Sequence, residues 1–566
     1  MPHDLLKPVD WARHNNPRKV SEEYNAFRLL ELFQKFLYED WDEEGNRVPR
    51  DLEYAIRKHE DQRLFAIADK LSSAIGRLRY AWNYWGRGAE RFFIVRAYGK
   101  EGHVEWVEAG RAPLHRIMMI LENHSDSRSA FQEINEFLSD YPADSRFPLV
   151  SLKAHHWLTD AFRRSRRLWE LCYKLDREPE RVGIIRCSVP EQNLHRLRDL
   201  RAFQDYTEKV LQFIMKDAFA SRLPLRIGDE VYVAYVEDEV EQLISNLVER
   251  VREAGFLVRL GLHEWSIEKV QRDGGLYQLK SISEKLIFAG DPELPQLAPE
   301  RAGEWKEELE ESENVLWIRL RLRGSLEDAS TEFLDRAEKE VLSKMNRVPE
   351  KEPLEQEVNL SPDLLISLAE DLEEFYTDCA MIIGGDSDPR SVTVIKRFDE
   401  VLMVKGLENR GSSIEIYQRL EELRSRLLVS MDLVAVLCDG KYPFWRVREN
   451  LNSFRDCLVI IRGGRLLRIR SEDVQVIRNV IRVIEGRVSR SQLDEIVKEA
   501  GKVDGPEPLK LLIEAKAKEG KLGRGDEGNR VARELSNLID SIFRRHRDMR
   551  VVQEALDLLS SFARRD

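Results

Sequence analysis

One order of elements occurs twice in this chain, and that repetition limits the possible folds more than any compositional property does. In the first copy, Val182 to Cys187 (VGIIRC) reads as a buried strand and Leu194 to Ala218 as helical. A hairpin, LPLRIGDEVYVAYVED, follows, its two apolar runs flanking Gly228-Asp229-Glu230. A helix from Glu239 to Ala254 then leads to the strand FLVRLGLHEW. The second copy opens with the strand Asn314 to Leu322 (NVLWIRLRL), and helices are predicted at Glu327 to Met345 and Pro362 to Tyr376. Its hairpin is SVTVIKRFDEVLMVKG, turning near Arg397 to Glu400, followed by a helix from Ser413 to Leu428 and the strand Leu433 to Cys438. Two copies of strand, helix, hairpin, helix, strand make a duplication on the scale of a domain.

The flanking sequence has a different texture. AFRLLELFQKFLYEDW, QRLFAIADKLSSAIGRLRYAW and SAFQEINEFLSDY carry apolar residues three and four apart and predict helices, interrupted by a hairpin over RFFIVRAYGKEGHVEWVEAG. DSRFPLVSLKAHHWLTDAFRRSRRLWELCYKL begins extended and is read as becoming one long helix. A further hairpin, CLVIIRGGRLLRIR, closes the second copy, and the chain from Ser471 onward reads as helical. The expected division is 1–150, mostly helical; 151–275, the first copy; 276–313, a connector containing a Pro/Glu-rich linker; 314–470, the second copy; and 471–566, helical. The fold class is α+β.

Composition excludes some functions. At 566 residues the chain is too long for one core. No apolar run approaches the roughly 20 residues needed to cross a membrane, and the N-terminus does not read as a secretory signal, so a cytoplasmic protein is expected. The net charge of −12 opposes non-specific coating of nucleic acid while allowing a local basic groove. None of the five cysteines forms a CxxC pair, which favours buried thiols over zinc or disulfides.

The repeated order, with an acidic pair in the hairpin turn, resembles the palm of polymerases and nucleotidyl cyclases. Diguanylate cyclases carry it once, with a GGDEF turn. The large subunit of type III CRISPR effector complexes carries it twice, with a GGDD turn in the second copy. DSRFPLVSLKAHH resembles the segment with which that subunit enters its first palm, and VGIIRCSVPEQN resembles the palm's opening strand and turn. VTVIKRFDEVLMVKG falls where the GGDD hairpin belongs, and LVAVLCDGKYPFWRVRENLN resembles the strand that closes the second palm. The resemblance covers most of the chain from Asp144 to about Arg470 and implies two ferredoxin-like palms between helical domains.

This sequence also departs from that family. Palm chemistry uses two divalent cations held by carboxylates from the opening strand and the hairpin turn. The second hairpin keeps Asp399 and Glu400, but Arg397 and Phe398 replace its glycines, and the opening strand ends in Arg319, Arg321 and Arg323. In the first copy Asp229 and Glu230 stand in the turn, yet the strand ends in Arg186-Cys187-Ser188. Both acidic turns are therefore read as vestigial and solvated. No active catalytic residue and no metal ligand is expected, with Mg²⁺ or Mn²⁺ relevant only if the palm is active. His3-Asp4, His59-Glu60-Asp61, Asp386 and Asp388 are not read as a nuclease or metal site, and His155-His156 is read as packed or capping.

The resemblance implies a structural large subunit that scaffolds guide RNA and target RNA together with backbone RNA-binding subunits and a small helical subunit. Arg462, Arg465, Arg468 and Arg470, around the Gly463-Gly464 turn, are the candidate RNA-binding residues, because a guanidinium fork fits phosphate and acid occurs only beyond the ends of this hairpin. The chain is expected not to be an enzyme. An active nucleotidyl cyclase using Asp399 and Glu400 is the alternative, and a stand-alone interaction protein is a second.

Overall fold

The computed structural model describes residues 34–41, 44, 46–51, 68, 80–83, 91–108, 111–144, 147–190, 198–219, 222–270, 276–290, 312–344, 350–353, 362–384, 390–408, 411–462, 465–484 and 487–560. His3-Asp4, His59-Glu60-Asp61, Asp386, Asp388 and the Pro/Glu-rich linker lie outside them.

In the N-terminal region β1 (Leu37–Trp41) pairs with β2 (Arg47–Asp51), and β3 (Tyr80–Asn83) lies further on. The predicted hairpin is present as β4 (Arg91–Val95) and β5 (Val104–Glu108). Helices α1 (Arg111–Asn123) and α2 (Ser127–Leu138) follow, α2 capped by Asp126 accepting the Ser129 N–H at 2.8 Å. The hairpin β6 (Pro142–Asp144) and β7 (Phe147–Ser151) completes the region. LYEDW and YAWN are strands where continuing helices were expected. Both are rich in aromatic residues that suit a pleated surface, and each has a strand partner.

The predicted long helix is two helices, α3 (Leu152–Arg163) and α4 (Arg166–Tyr173). Ser165 ends the first and caps the second, its side chain accepting the Leu168 N–H at 3.1 Å from extended backbone. His155 and His156 are buried within α3, and all five cysteines are buried free thiols.

The first unit then comprises β8 (Arg181–Ser188), α5 (Arg198–Phe213), β9 (Leu225–Ile227), β10 (Glu230–Val236), α6 (Glu239–Glu253), β11 (Leu257–Val270) and β12 (Leu276–Gly290). Its sheet order is β12-β11-β8-β10-β9. Strand β12 corrects the expected boundary. Residues 276–290 are not connector but a full antiparallel partner of β11, and the alternation in LYQLKSISEKLIFAG is the period of a strand.

The second unit comprises β13 (Asn314–Leu322), α7 (Leu326–Lys344), β14 (Glu350–Pro353), α8 (Pro362–Ile383), β15 (Ser391–Lys396), β16 (Glu400–Leu407), α9 (Gly411–Arg424), β17 (Met431–Cys438), α10 (Phe444–Ser453), β18 (Cys457–Arg462) and β19 (Arg465–Arg470). β14 pairs with β3, and the main sheet runs β15-β16-β13-β17-β18-β19. Numbered within each copy and leaving out β14, both sheets share the order 2-3-1-4, with one added strand, β12, beyond the fourth in the first sheet and two, β18 and β19, in the second. The duplication read from the sequence is therefore one of topology. The class is α+β.

Period-two alternation divides each sheet between two cores. Ile184, Tyr232 and Ala234 of the first unit share one core with Leu316, Ile318 and Met403 of the second, and with α3, α7 and α8. Ile185, Val233, Trp317 and Val436 share the other with α5, α6 and α10, where Trp317 meets Phe444 at 4.6 Å between ring centroids. Both units are thus buried on both faces. Helices α11 (Ser471–Ile484), α12 (Arg490–Ala500), α13 (Pro506–Lys518), α14 (Asp526–His546) and α15 (Met549–Ser560) complete the described chain.

Candidate functional site between the two hairpins

The two acidic turns are docked on each other. The Asp229 N–H donates to the Lys396 carbonyl at 2.6 Å, and the Lys396 N–H donates back to Asp229 Oδ2 at 2.6 Å. Gly228 permits this approach. It sits at φ +56°, and a Cβ there would lie 2.5 Å from the Lys396 oxygen. The Phe398 N–H donates to Glu230 Oε2 at 3.1 Å. Both turns therefore lie in an interface, and the expectation of solvated turns fails because each turn shields the other from water.

The acids are held by arginines from the opening strands. Arg186 on β8 donates from Nε to Glu230 at 2.7 Å and from Nη2 to Asp399 of the other unit at 3.0 Å, while its guanidinium lies 5.7 Å from the Phe398 ring centroid. Arg319 on β13 donates from Nε to Glu400 at 2.6 Å and from Nη1 to the Leu451 carbonyl and to Asn452 Oδ1. The register makes the two arginines equivalent. Glu230 faces Ser188 and Glu400 faces Arg321, and in each unit the arginine stands two residues before that partner. In both copies the second acid of the turn pairs with its own unit's arginine, while the first reaches the other unit. The fragments IIR and WIR place an arginine where a palm would need a carboxylate, but nothing local in them shows that it pairs with the acid of the turn.

Arg397 and Phe398 are buried, as expected of side chains filling the turn, and Arg397 donates to the Val189 carbonyl. Burial acts to raise the Asp399 carboxyl, but Arg186, Arg397 and Arg259 outweigh it and hold the group below the usual carboxylate range. Asp229 goes the other way, raised to about 6 by burial against the weaker pull of the Lys396 N–H and nearby arginines. The folded chain keeps that proton up to about pH 6, whereas the unfolded chain releases it near 3.8, so stability falls as pH rises between those values. Asp229→Asn, whose amide oxygen still accepts from Lys396, is expected to remove a decline approaching about 1.4 kcal/mol per pH unit. Urea unfolding of both proteins at pH 4, 5 and 6 checks this; parallel profiles contradict it.

The other candidate residues are placed less uniformly. Arg468 and Arg470 are exposed on β19, with the Arg468 guanidinium 5.1 Å from the Phe454 ring centroid. The side chains of Arg462 and Arg465 lie outside the described ones. On α3 and α4, ahead of the first unit, Arg163 pairs with Asp160, and Arg167 with Glu237 and Asp238.

This geometry defines a class: a single chain carrying two ferredoxin-like units joined hairpin to hairpin. No protein-family model matches the sequence, and no match is found among curated proteins. Solved structures do match, over essentially the whole chain. The Csm1–Csm4 cassette in complex with cA4 is 11% identical, with a TM-score of 0.55, covering 100% of this chain and 98% of that one. Csm1 in T. onnurineus gives 0.53 at 11% identity, and the Csm1–Csm4 subcomplex of the type III-A CRISPR-Csm interference complex gives 0.54 at 11%. Both cover 99% of this chain and 98% of theirs. This chain has the fold of Csm1.

Proposed function

We propose that this chain is the structural large subunit of a type III CRISPR RNA-guided effector, with palms that no longer perform nucleotide chemistry. The observation that carries the inert reading is the engagement of Glu230, Asp399 and Glu400 by Arg186 and Arg319, all within 3.0 Å. A two-metal palm needs carboxylate oxygens free to bind hard cations. Here a divalent ion would have to displace guanidinium groups and then share their site, so the donor set does not suit Mg²⁺ or Mn²⁺. Among the described residues, no group of three or more His, Cys, Asp or Glu is placed to hold a metal.

The effector reading rests on the fold. The similar structures are of Csm1 alone or joined to Csm4, and this chain spans nearly their full length. On this reading the paired units form a rigid platform and the C-terminal helices dock the small helical subunit or the target strand. The β18–β19 hairpin, with Arg468 and Arg470, faces the guide RNA or a neighbouring backbone subunit. No described helix is long and apolar enough to cross a membrane, in keeping with the cytoplasmic setting this role requires.

Two experiments test the proposal. Purified chain with ATP and Mg²⁺ or Mn²⁺ is expected to yield neither cyclic nor linear oligonucleotides. Product that disappears on Asp399→Ala establishes the active-cyclase alternative instead. Co-expression with guide RNA and the partner subunits is expected to give a stable ribonucleoprotein; a chain that purifies alone from that mixture is an interaction protein of another kind.

A further inference from the structure

Helix α8 of the second unit meets the N-terminal region and α3 along a seam rich in acids. Asp363, Ser367, Asp371, Glu374 and Asp378 stand three or four residues apart, and so share one face of the helix. Part of the seam is compensated in the usual way. The Ser151 N–H donates to Ser367 Oγ at 3.0 Å, Lys153 lies 3.0 Å from Glu370, Lys100 lies 2.9 Å from Glu374, and the Tyr98 hydroxyl donates to Asp378 at 2.7 Å.

Asp371 and Asp363 are both buried and are compensated less well. Asp371 accepts the Ala97 N–H at 2.6 Å and lies 3.4 Å from Arg96 Nη1. The same guanidinium is 3.1 Å from Asp140 and 3.5 Å from Glu105, so three carboxylates share one cation. Glu370 and Glu374, which also act on Asp371, add charge of the same sign. Asp363 accepts no hydrogen bond among the described residues, and the titratable group that reaches it is His155, with Nδ1 at 4.0 Å. Buried acids in excess of their cations are relieved most cheaply by taking up protons. Burial pushes Asp371 up to about 7 against the pull of Arg96 and the Ala97 N–H, and pushes Asp363 up to about 7 against that of His155. Asp140 and Glu105 are raised by burial in the same way, against Arg96.

The geometry points to a proton-dependent latch: α8 holds the N-terminal region while Asp363 and Asp371 carry protons, and their loss leaves buried like charge that opens the seam around Arg96–Tyr98. The opening reaches further into the second unit. The Leu428 N–H donates to the Ala97 carbonyl at 2.8 Å and Tyr98 bridges Leu427, so the connection from α9 to β17 is released with it. This inference goes beyond the effector reading and does not depend on it, since every contact lies within the chain.

The closed latch keeps both protons up to about pH 7, whereas acids exposed by opening release them near 3.8. Closure is therefore weakened as pH rises between those values and levels off above them, by up to about tenfold per unit for each group. The test is amide hydrogen exchange of the full chain at pH 6 and pH 8, corrected for the intrinsic pH dependence of exchange. This range lies above most of the titration of Asp229. Protection at Ala97 and Leu428 is expected to fall at least tenfold more than protection on β13. Asp363→Asn with Asp371→Asn, which imitates the protonated acids, is expected to abolish that difference. Asp363→Asn alone removes no described hydrogen bond and is expected to halve the difference on a logarithmic scale, whether or not Arg96 tolerates Asn at 371. Protection that is insensitive to pH, that falls equally on β13, or that falls undiminished in Asp363→Asn overturns the latch.

Discussion

Glu230→Ala is expected to destabilise the protein by about 3–5 kcal/mol, the usual cost of removing one partner from a buried ion pair. Glu230 is fully buried and accepts from three donors: Arg186 Nε at 2.7 Å, the Tyr232 hydroxyl at 3.0 Å and the Phe398 N–H at 3.1 Å. Truncation leaves the Phe398 and Tyr232 donors without that acceptor, and it leaves Arg186 with Asp399 as its remaining carboxylate partner. Replacing both members, as in Arg186→Met with Glu230→Leu, is expected to recover only part of the loss, because it removes the uncompensated guanidinium charge but still leaves the Phe398 and Tyr232 donors without their acceptor and takes Arg186 away from Asp399. Denaturant unfolding of the two single variants and the double variant measures the coupling. A loss below about 1 kcal/mol for Glu230→Ala would show that the junction of the two units does not rest on this network.

Gly228→Ala is expected to part the two units. A left-handed backbone costs a non-glycine residue about 1–2 kcal/mol, and here the new Cβ would also meet the Lys396 carbonyl at 2.5 Å. The residue can be accommodated only by moving the turn, which breaks the reciprocal Asp229–Lys396 hydrogen bonds and draws Asp399 away from Arg186. The expected readout is a thermal transition that broadens or splits in two, with a loss of at least about 2 kcal/mol. Gly255 is a suitable control, since it too has positive φ but has no heavy atom within 4 Å of an added Cβ. If Gly228→Ala unfolds in one transition and loses no more than Gly255→Ala, hairpin contact is not what joins the units.

The duplicated order of elements was legible because apolar periodicity and turn glycines act within a few residues, and both sheets formed from the segments so marked. Misreadings occurred where local pattern and distant partner disagree. Tyr80–Asn83 continues a helical pattern but pairs with Glu350–Pro353, and residues 276–290 read as connector but pair with β11. Arg319 is visible on β13 in the sequence, but Leu451 and Asn452 meet it only because α10 ends against that strand.

The sequence alone determined that two like units exist, that each carries an acidic turn, and that arginines stand on their opening strands. Only tertiary structure decided what those charges do. Arg186 and Asp399 are 213 residues apart, and their interaction exists only once the two hairpins exclude water from between them. Electrostatic interactions of this kind depend on distance and local dielectric, neither of which is a property of a residue's place in the chain.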